Sequence, residues 1–523
     1  MTDSGFDVPL VEKVLLPGTK QEFEWRVSSA LNDKKLNMVE KVKAAKPGLS
    51  VLDDLDTLAE EARRKGGAQY IEDQDDLNMR LKWLGLFHRQ KHAPGTFMWR
   101  MRCPNGIFSS QQWRALYEVV RQYETGSKSL FQQQGCLSIT TRQNIQLYGI
   151  RLEDLPRHVL LLNSHDVFSI QTGMDNVRNV VGNPLAGIDP EELIDTRRFC
   201  SEFTASLTKS GKGNADFTNL PRKFNVCFVG SKHLFEHPDI NDISYIPARD
   251  HQGNLGWNVN VGGLLSSSRC EFAAPLDAWV PLEGSWEVGA SILSVFRDWG
   301  YRYNPRTKSR LAFLLDDMGA AAFREEVGRR YSELTGTRLQ GAGSSLVPSR
   351  WERREVLGVH KQKDGRNWLG VHVPVGRIYP DELLALIELS EEFGEGEMRM
   401  TVEGNLIIPH VEDSKVSDAV KALEQTLPSF SLYPQPLLAG TVACTGSQFC
   451  GQSKINTKGH ARRMAEELDR ELSLPRPVRI HWTGCPNTCG QVQLGDIGLL
   501  GTVGRDSSGQ AVEAVDVYLG GGG

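Results

Sequence analysis

Apolar positions along the chain fall into short alternating runs separated by helical stripes, and the pattern occurs twice. Residues 97–106 read FMWRMRCPNG and residues 367–376 read NWLGVHVPVG. Each is a strand-like run that ends in Pro-x-Gly and leads into an amphipathic helix. Trp113, Leu116 and Val120 make the apolar stripe of the first helix; Leu383, Leu386 and Ile387 make that of the second. Ser109 and Asp381 are the expected N-caps. Another strand follows each helix, TTRQNIQLYGI at 140–150 and TVEGNLIIPHV at 401–411. Further on, LPRKFNVCFVG at 220–230 aligns without a gap on LPRPVRIHWTG at 474–484, and WNVNVGG at 257–263 on VDVYLGG at 515–521. Several blocks in one order point to an internal duplication.

The duplication predicts a mixed α/β (α+β) chain. Each half has a small strand–helix–strand unit followed by a larger strand and helix unit. If the small units share a sheet, three domains surround a pseudo-twofold axis. The expected boundaries are an N-terminal extension at 1–76, small units at 77–152 and 351–428, and large units at 153–338 and 429–523. The loop 339–350, LQGAGSSLVPSR, reads as the linker between halves. The charge-dense stretch 53–76 reads as a solvated helix with its flanks. In GDIGLLGTVG at 495–504 there is no GxGxxG, and its glycines are expected in tight turns. The first half runs on through GSWEVGASILSVFRDWG, whereas the second ends at Gly523, so the alignment leaves a further C-terminal segment expected. The N-terminal MTDSGFDVPLVEKVLLPG lacks a basic n-region and carries Asp3, Asp7 and Glu12. Neither a secretory signal nor an intact transit peptide is expected there.

Composition narrows the class. With 60 Lys+Arg against 65 Asp+Glu and 40% hydrophobic residues, the 523-residue chain is neither disordered nor a general nucleic-acid binder. No apolar run of about 18 residues is present, so no membrane span is expected. Five of nine cysteines are scattered, and Cys103, Cys136, Cys200, Cys227 and Cys270 read as structural, buried thiols. The other four are grouped as C-x5-C, 34 residues, then C-x3-C. A helix with Ala461, Met464, Ala465, Leu468 and Leu472 on one face separates the pairs. Four thiolates suit a [4Fe–4S] cluster or zinc, and the wide first spacing fits a zinc knuckle poorly. Unliganded core cysteines are the plain alternative. A non-catalytic iron–sulfur electron carrier is one functional reading.

The cysteine pattern with TGCPNTCG resembles the sirohaem/[4Fe–4S] sulfite and nitrite reductases. LKWLGLFHR, FMWRMRCPNG, TTRQNIQL, GMDNVRNVVGNP, LPRKFNV and INTKGHARR carry the resemblance over residues 77–521. It is strongest toward the ferredoxin-dependent nitrite reductases of chloroplasts and cyanobacteria. The resemblance implies the duplicated three-domain fold with ferredoxin-like small units. It implies that Cys444, Cys450, Cys485 and Cys489 hold the cluster, with Cys489 bridging to sirohaem. It places Arg100, Arg178, Lys223 and Asn225 in the anion pocket, and the activity is six-electron reduction of nitrite to ammonia.

Strand alternation puts Lys223 with Asn225, and Arg100 with Arg102, on shared faces. The repeat sets Arg100 against Gly370 and Lys223 against Pro477. The cations therefore belong to one half and the cysteines to the other. Sirohaem is rich in carboxylates, so Arg102, Thr141, Arg142, Asn144, Gln146, Arg306, Lys308, Arg310 and Asn456 are its candidate partners, with Lys454 and Lys458 in support. Arg142, Asn144 and Gln146 are expected on one strand face. Sulfite reductases of the family carry a second lysine where this chain has Asn225, which favours nitrite; a ferredoxin-dependent sulfite reductase is the alternative. No flavin module is present, so electrons are expected from a separate protein; the resemblance implies reduced ferredoxin, with Arg462, Arg463 and Lys458 as candidate docking residues. A monomer is expected, in a chloroplast stroma or, alternatively, a cyanobacterial cytoplasm.

Overall fold

The computed structural model describes residues 36–74, 76–90, 93–125, 135–348 and 354–521. The expectations for the first residues of the chain and for its last two lie outside these.

Each small unit builds a five-stranded antiparallel sheet, and each sheet is completed by a strand of the other unit. In the first unit, β1 (Leu86–His88), β2 (Thr96–Arg100), β4 (Cys136–Ile139) and β5 (Ile145–Arg151) form the order β1-β2-β5-β4. The fifth place is taken by β16 (Arg377–Ile378) of the second unit, with Arg377 opposite Ser138. The second sheet has β14 (Gly358–Lys361), β15 (Asn367–Val371), β17 (Glu397–Met400) and β18 (Leu406–Val411), closed by β3 (Ile107–Ser109) of the first. There are thus two sheets joined by exchanged strands, not one continuous sheet. The exchange follows from the two Pro-x-Gly turns: each throws a short strand onto the partner sheet, and the two apolar faces fuse into one core.

Helix α3 (Ser110–Val120) starts from Ser109, whose hydroxyl accepts the Gln112 N–H while the Gln112 amide accepts the Ser109 N–H. Its repeat partner α6 (Pro380–Phe393) is capped differently. Pro380 takes the first helical position, and the Glu382 carboxylate accepts the Tyr379 N–H at 2.9 Å. Asp381 therefore lies inside the first turn and is not the N-cap. The expected stripes are buried in both helices. Trp113, at the centre of this core, would cost about 3–5 kcal/mol on truncation to alanine.

The large units repeat one strand order. In the first, β6 (Val177–Val181), β7 (Phe224–Phe228) and β8 (Ile243–Arg249) are parallel, and β9 (Leu255–Val261) returns antiparallel. In the second, β19 (Thr441–Ala443), β20 (Ile480–Thr483) and β21 (Ile497–Arg505) are parallel, and β22 (Ala511–Leu519) returns antiparallel. The aligned LPR blocks become β7 and β20, and the aligned GG blocks become β9 and β22. A small hairpin, β10 (Leu264–Leu265) with β11 (Cys270–Glu271), follows β9. The first unit then adds β12 (Ala274–Pro281) beside β9 and packs the helix Ser285–Trp299 on it. Among the described residues β22 has no such neighbour, and Val517, Tyr518 and Leu519 are exposed.

Within 339–348, β13 (Ser344–Ser345) adds to the edge of β8. Three local expectations are corrected. The charged stretch does form a helix, α2 (Leu55–Lys65), but Leu58, Ala59 and Ala62 anchor it. Cys270 is exposed on the hairpin, whereas Cys103, Cys136, Cys200 and Cys227 are buried. The glycines at 498 and 501 lie within β21, where a Cβ at Gly498 would sit 2.4 Å from the Val492 carbonyl. They allow close packing, not turns.

Candidate active site between the two halves

The cysteines sit where parallel strands end. β19 leads into the loop 444–451 and β20 into 484–490, and because the strands are parallel both loops leave the same edge. Such carboxyl edges are where open α/β sheets hold ligands. The Cys444 N–H donates to the Trp482 carbonyl at 3.1 Å, and the Gly484 N–H donates to Cys444 Sγ at 3.3 Å. The connecting helix, α7 (Thr457–Glu471), packs Ala461 and Ala465 beneath them; Leu472 ends the helix and is half exposed. Burial raises the Cys444 thiol, and pushes Cys450 up to about 12 and Cys485 to about 11, each further raised by the other cysteines of the group. Among the described residues no three His, Cys, Asp or Glu side chains stand close enough for one ion.

Cations face this edge from the first half. Arg100 ends β2 and Arg178 lies on β6. Arg100 donates to the Thr172 carbonyl at 3.1 Å and stacks on Phe87; Arg178 donates to the Thr172 and Met174 carbonyls. Lys223 directly precedes β7 and has no hydrogen-bond or carboxylate partner among the described residues. Two residues on, Asn225 is buried with its Oδ1 unpartnered. Burial first, then the Arg310 guanidinium, holds the Lys223 ammonium well below the usual lysine range, and the Cys489 thiol opposes this. Burial likewise lowers Arg178, helped by Arg100 and Arg142, and brings Arg142 to about 10. The two halves touch directly: the Thr141 hydroxyl donates to the Cys489 carbonyl at 3.0 Å.

Other candidates are placed differently from expectation. Residues 140–144 form the β4–β5 turn, with the Thr140 N–H on the Asn144 carbonyl and Gln143 at φ +49°. Arg142 and Asn144 therefore do not share a strand face with Gln146. Arg142 reaches Asn241 Oδ1 at 3.3 Å, while the Asn144 amide accepts the Thr140 hydroxyl. Gln146 Oε1 accepts Thr445 and Tyr148 hydroxyls, which ties it to the cysteine loop. Arg102 donates to the carbonyls of Ile170, Gln171, Val177 and Arg178, so it holds the pocket wall. Arg310 pairs with Asp242 at 2.7 Å and Arg306 with Asp175. Lys308 is exposed on its turn. The Asn456 side chain caps α7 through the Gly459 N–H. Lys458 is buried and donates to the Val375 and Ala443 carbonyls, so it cannot be a docking residue.

Sequence reasoning missed three anchors. Asp242 holds Arg310 and accepts the Asn225 N–H at 2.8 Å. Asp175 holds Arg306 and, at 3.2 Å, Lys43 of α1 (Met38–Ala45), which ties the N-terminal extension to the site. Arg222 joins the cations, lowered to about 10 by burial and by Arg306. Arg222 sits inside the quoted LPRKFNV block and Asp175 inside GMDNVRNVVGNP, so both were visible there; Asp242 carried no local signal.

The chain matches the model of the nitrite and sulphite reductase 4Fe-4S domain at residues 173–334 and 437–523. It matches the nitrite/sulfite reductase ferredoxin-like half domain at 88–164 and 360–426. The chain belongs to the nitrite and sulphite reductase family. It is 49% identical to the chloroplastic ferredoxin–nitrite reductase of Arabidopsis thaliana over 86% of this chain and 74% of that one. It is 46% identical to the ferredoxin–nitrite reductase of Synechococcus elongatus over 93% of this chain and 90% of that one. The solved structure of Mycobacterium tuberculosis NirA protein superposes with a TM-score of 0.83 at 29% identity, covering 94% of this chain and 88% of that one. The two family cofactors are a [4Fe–4S] cluster and sirohaem. The residues fit both: four mutually interacting thiols for the cluster, and for a polycarboxylate macrocycle a nest of cations, Arg142, Arg178, Arg222 and Lys223, beside Cys489.

Proposed function

We infer that the chain reduces nitrite to ammonium with electrons from reduced ferredoxin, at sirohaem coupled to a [4Fe–4S] cluster. Cys444, Cys450, Cys485 and Cys489 would hold the cluster. Arg142, Arg306 and Arg310, with Arg222 added, would meet the sirohaem carboxylates, and Thr141 would set the Cys489 loop against them. When bound, the two groups deliver single electrons to the substrate nitrogen. Everything else is positioning, charge and proton supply from the chain.

The observation that carries this reading is the Lys223 ammonium, set among the Arg310, Arg142 and Arg178 guanidinium groups and facing Cys489, with buried Asn225 two residues on. Nitrite consumes eight protons with six electrons, releasing ammonium and two waters. Arg100 and Arg178 attract the anion and neutralise charge as oxygen leaves. Lys223 has a lowered proton affinity, so Nζ gives its proton to a departing oxygen readily and recovers one from solvent. Asn225 offers a neutral amide where a second cation would favour a more highly charged oxyanion. This supports nitrite over sulfite.

We place the protein in a chloroplast stroma, as a monomer, because the plant relatives are named chloroplastic; the cyanobacterial relatives support a cytoplasmic setting instead. Ferredoxin, an acidic donor, docks near Arg462 and Arg463, which lie on α7 toward solvent.

The test is ammonium released from nitrite under reduced ferredoxin, with sulfite in parallel. Efficient ammonium formation with slow sulfite turnover supports the reading, and faster sulfite turnover overturns the assignment of Asn225. Lys223→Met should lower kcat/KM for nitrite about 10²–10³-fold, the usual loss for one donor to a developing anion. Unchanged kcat/KM in that variant removes Lys223 from the pocket.

A further inference from the structure

Three buried cations grip the residues that flank two of the cluster cysteines, and they come from three separate parts of the chain. Arg89, just after β1, donates to the Gln448 carbonyl and lies 4.4 Å from the Phe449 ring. Arg377, on the exchanged strand β16, lies over the same ring at 4.9 Å and over Tyr148 at 5.1 Å. Arg377 also donates to Ser138 Oγ at 2.9 Å and to Gln448 Oε1 at 3.1 Å. Tyr148 and Phe449 stack at 3.9 Å, so Phe449, the neighbour of Cys450, is enclosed on every side. Lys458 donates to the carbonyl of Ala443, the neighbour of Cys444.

Among the described residues none of the three has a carboxylate partner. Arg89, Arg377 and Lys458 are 2%, 3% and 1% exposed, and Arg89 Nε and Arg377 Nη2 are buried without a hydrogen bond. Unpaired buried charge is strongly destabilising. The polar contacts these cations do make are to neutral groups, and their shared neighbour is the cysteine loop. Four thiolates on a [4Fe–4S] core leave an anionic assembly, which gains one further negative charge on reduction.

We propose that Arg89, Arg377 and Lys458 form the charge-compensating shell of the cluster and set its reduction potential. They act through the loop 444–450 as positioning and tuning residues. Their field favours the reduced cluster, the form that has just taken one electron from the donor. The strand exchange gains a function thereby: β16 carries Arg377 from its own half to the other half's sheet, against the cluster loop. This rests on the assignment of the four cysteines.

The experiment is an EPR-monitored redox titration of the cluster in the holoenzyme, with iron content measured on the same samples. Arg377→Met and Arg89→Met should each lower the midpoint by about 59 mV, a tenfold shift of a one-electron equilibrium. Arg377→Lys, which keeps the charge, should stay within threefold of the parent. A methionine variant with full iron and the parent's midpoint overturns the proposal. If the charge-removing variants lose iron while Arg377→Lys retains it, the charge is required to hold the anionic cluster and the shell stands. If Arg377→Lys loses iron too, the role is packing and the proposal falls. A parent protein without iron would instead refute the cysteine assignment, a distinct result.

Discussion

The two large units share a strand order and differ in which end of it carries chemistry. In the first, the reactive groups precede the strand: Lys223 stands just before β7, at the position of exposed Pro477 in the second. In the second, they follow the strand: Cys485 stands just after β20, at the position of buried Ser231 in the first. The Ser231 hydroxyl there accepts the His233 N–H at 3.1 Å, a local turn contact. Duplication supplied a scaffold twice, and divergence placed cations on one copy and thiols on the other. A single site then requires the two copies to face each other, and they touch where the Ser267 N–H donates to the Pro486 carbonyl at 3.1 Å. The scaffold sets where a side chain stands; the side chain decides what happens there.

The comparison breaks most sharply at the cysteine. Cys485→Ser should abolish cluster binding, read as loss of iron and of the visible spectrum. Ser231→Ala at the matching position should cost only about 1 kcal/mol in unfolding free energy. Next comes the anchor. Arg310→Met leaves Asp242 buried and unpaired, so it should destabilise by about 3–5 kcal/mol in denaturant titration. The double variant Arg310→Met/Asp242→Asn should recover most of that loss. Pro477→Lys, which puts a lysine at the second half's equivalent of Lys223, should change stability by less than about 0.5 kcal/mol, because the site is exposed.

An effect smaller than the anchor's is expected from Asn225→Lys. It adds a charge to the pocket and should move the sulfite-to-nitrite ratio of kcat/KM by about tenfold, or ~1.4 kcal/mol. An unmoved ratio would show that discrimination lies elsewhere. Smaller again is the effect of Arg462→Glu. It should raise the apparent KM for ferredoxin about threefold and flatten its dependence on salt, with kcat unchanged.

Much of the frame could be read without coordinates. Alternation and stripe patterns report local burial, so the paired strands, α3, α6, and the equivalence of β7 with β20 followed from them. The cysteine group was legible because metal ligation demands a rare residue type at fixed spacing. Features set by long-range contact were not. The turn at 140–144 looked like strand because RQNIQ alternates. Lys458 looked like a solvated helical charge, yet it points at Val375 and Ala443, remote from its own turn of helix. Asp381 looked like a cap because capping and first-turn acids share a composition.

By itself the sequence determined the duplication, the strand and helix periods, and the four thiols with their spacing, because each is a property of neighbours along the chain. Tertiary structure alone decided the exchange of β3 and β16, the pairing of Asp175 with Lys43 and Arg306, and the convergence of Arg89, Arg377 and Lys458 on one loop. These depend on which distant segments share a buried volume, where an unpaired charge is costly and a partner from any part of the chain relieves it.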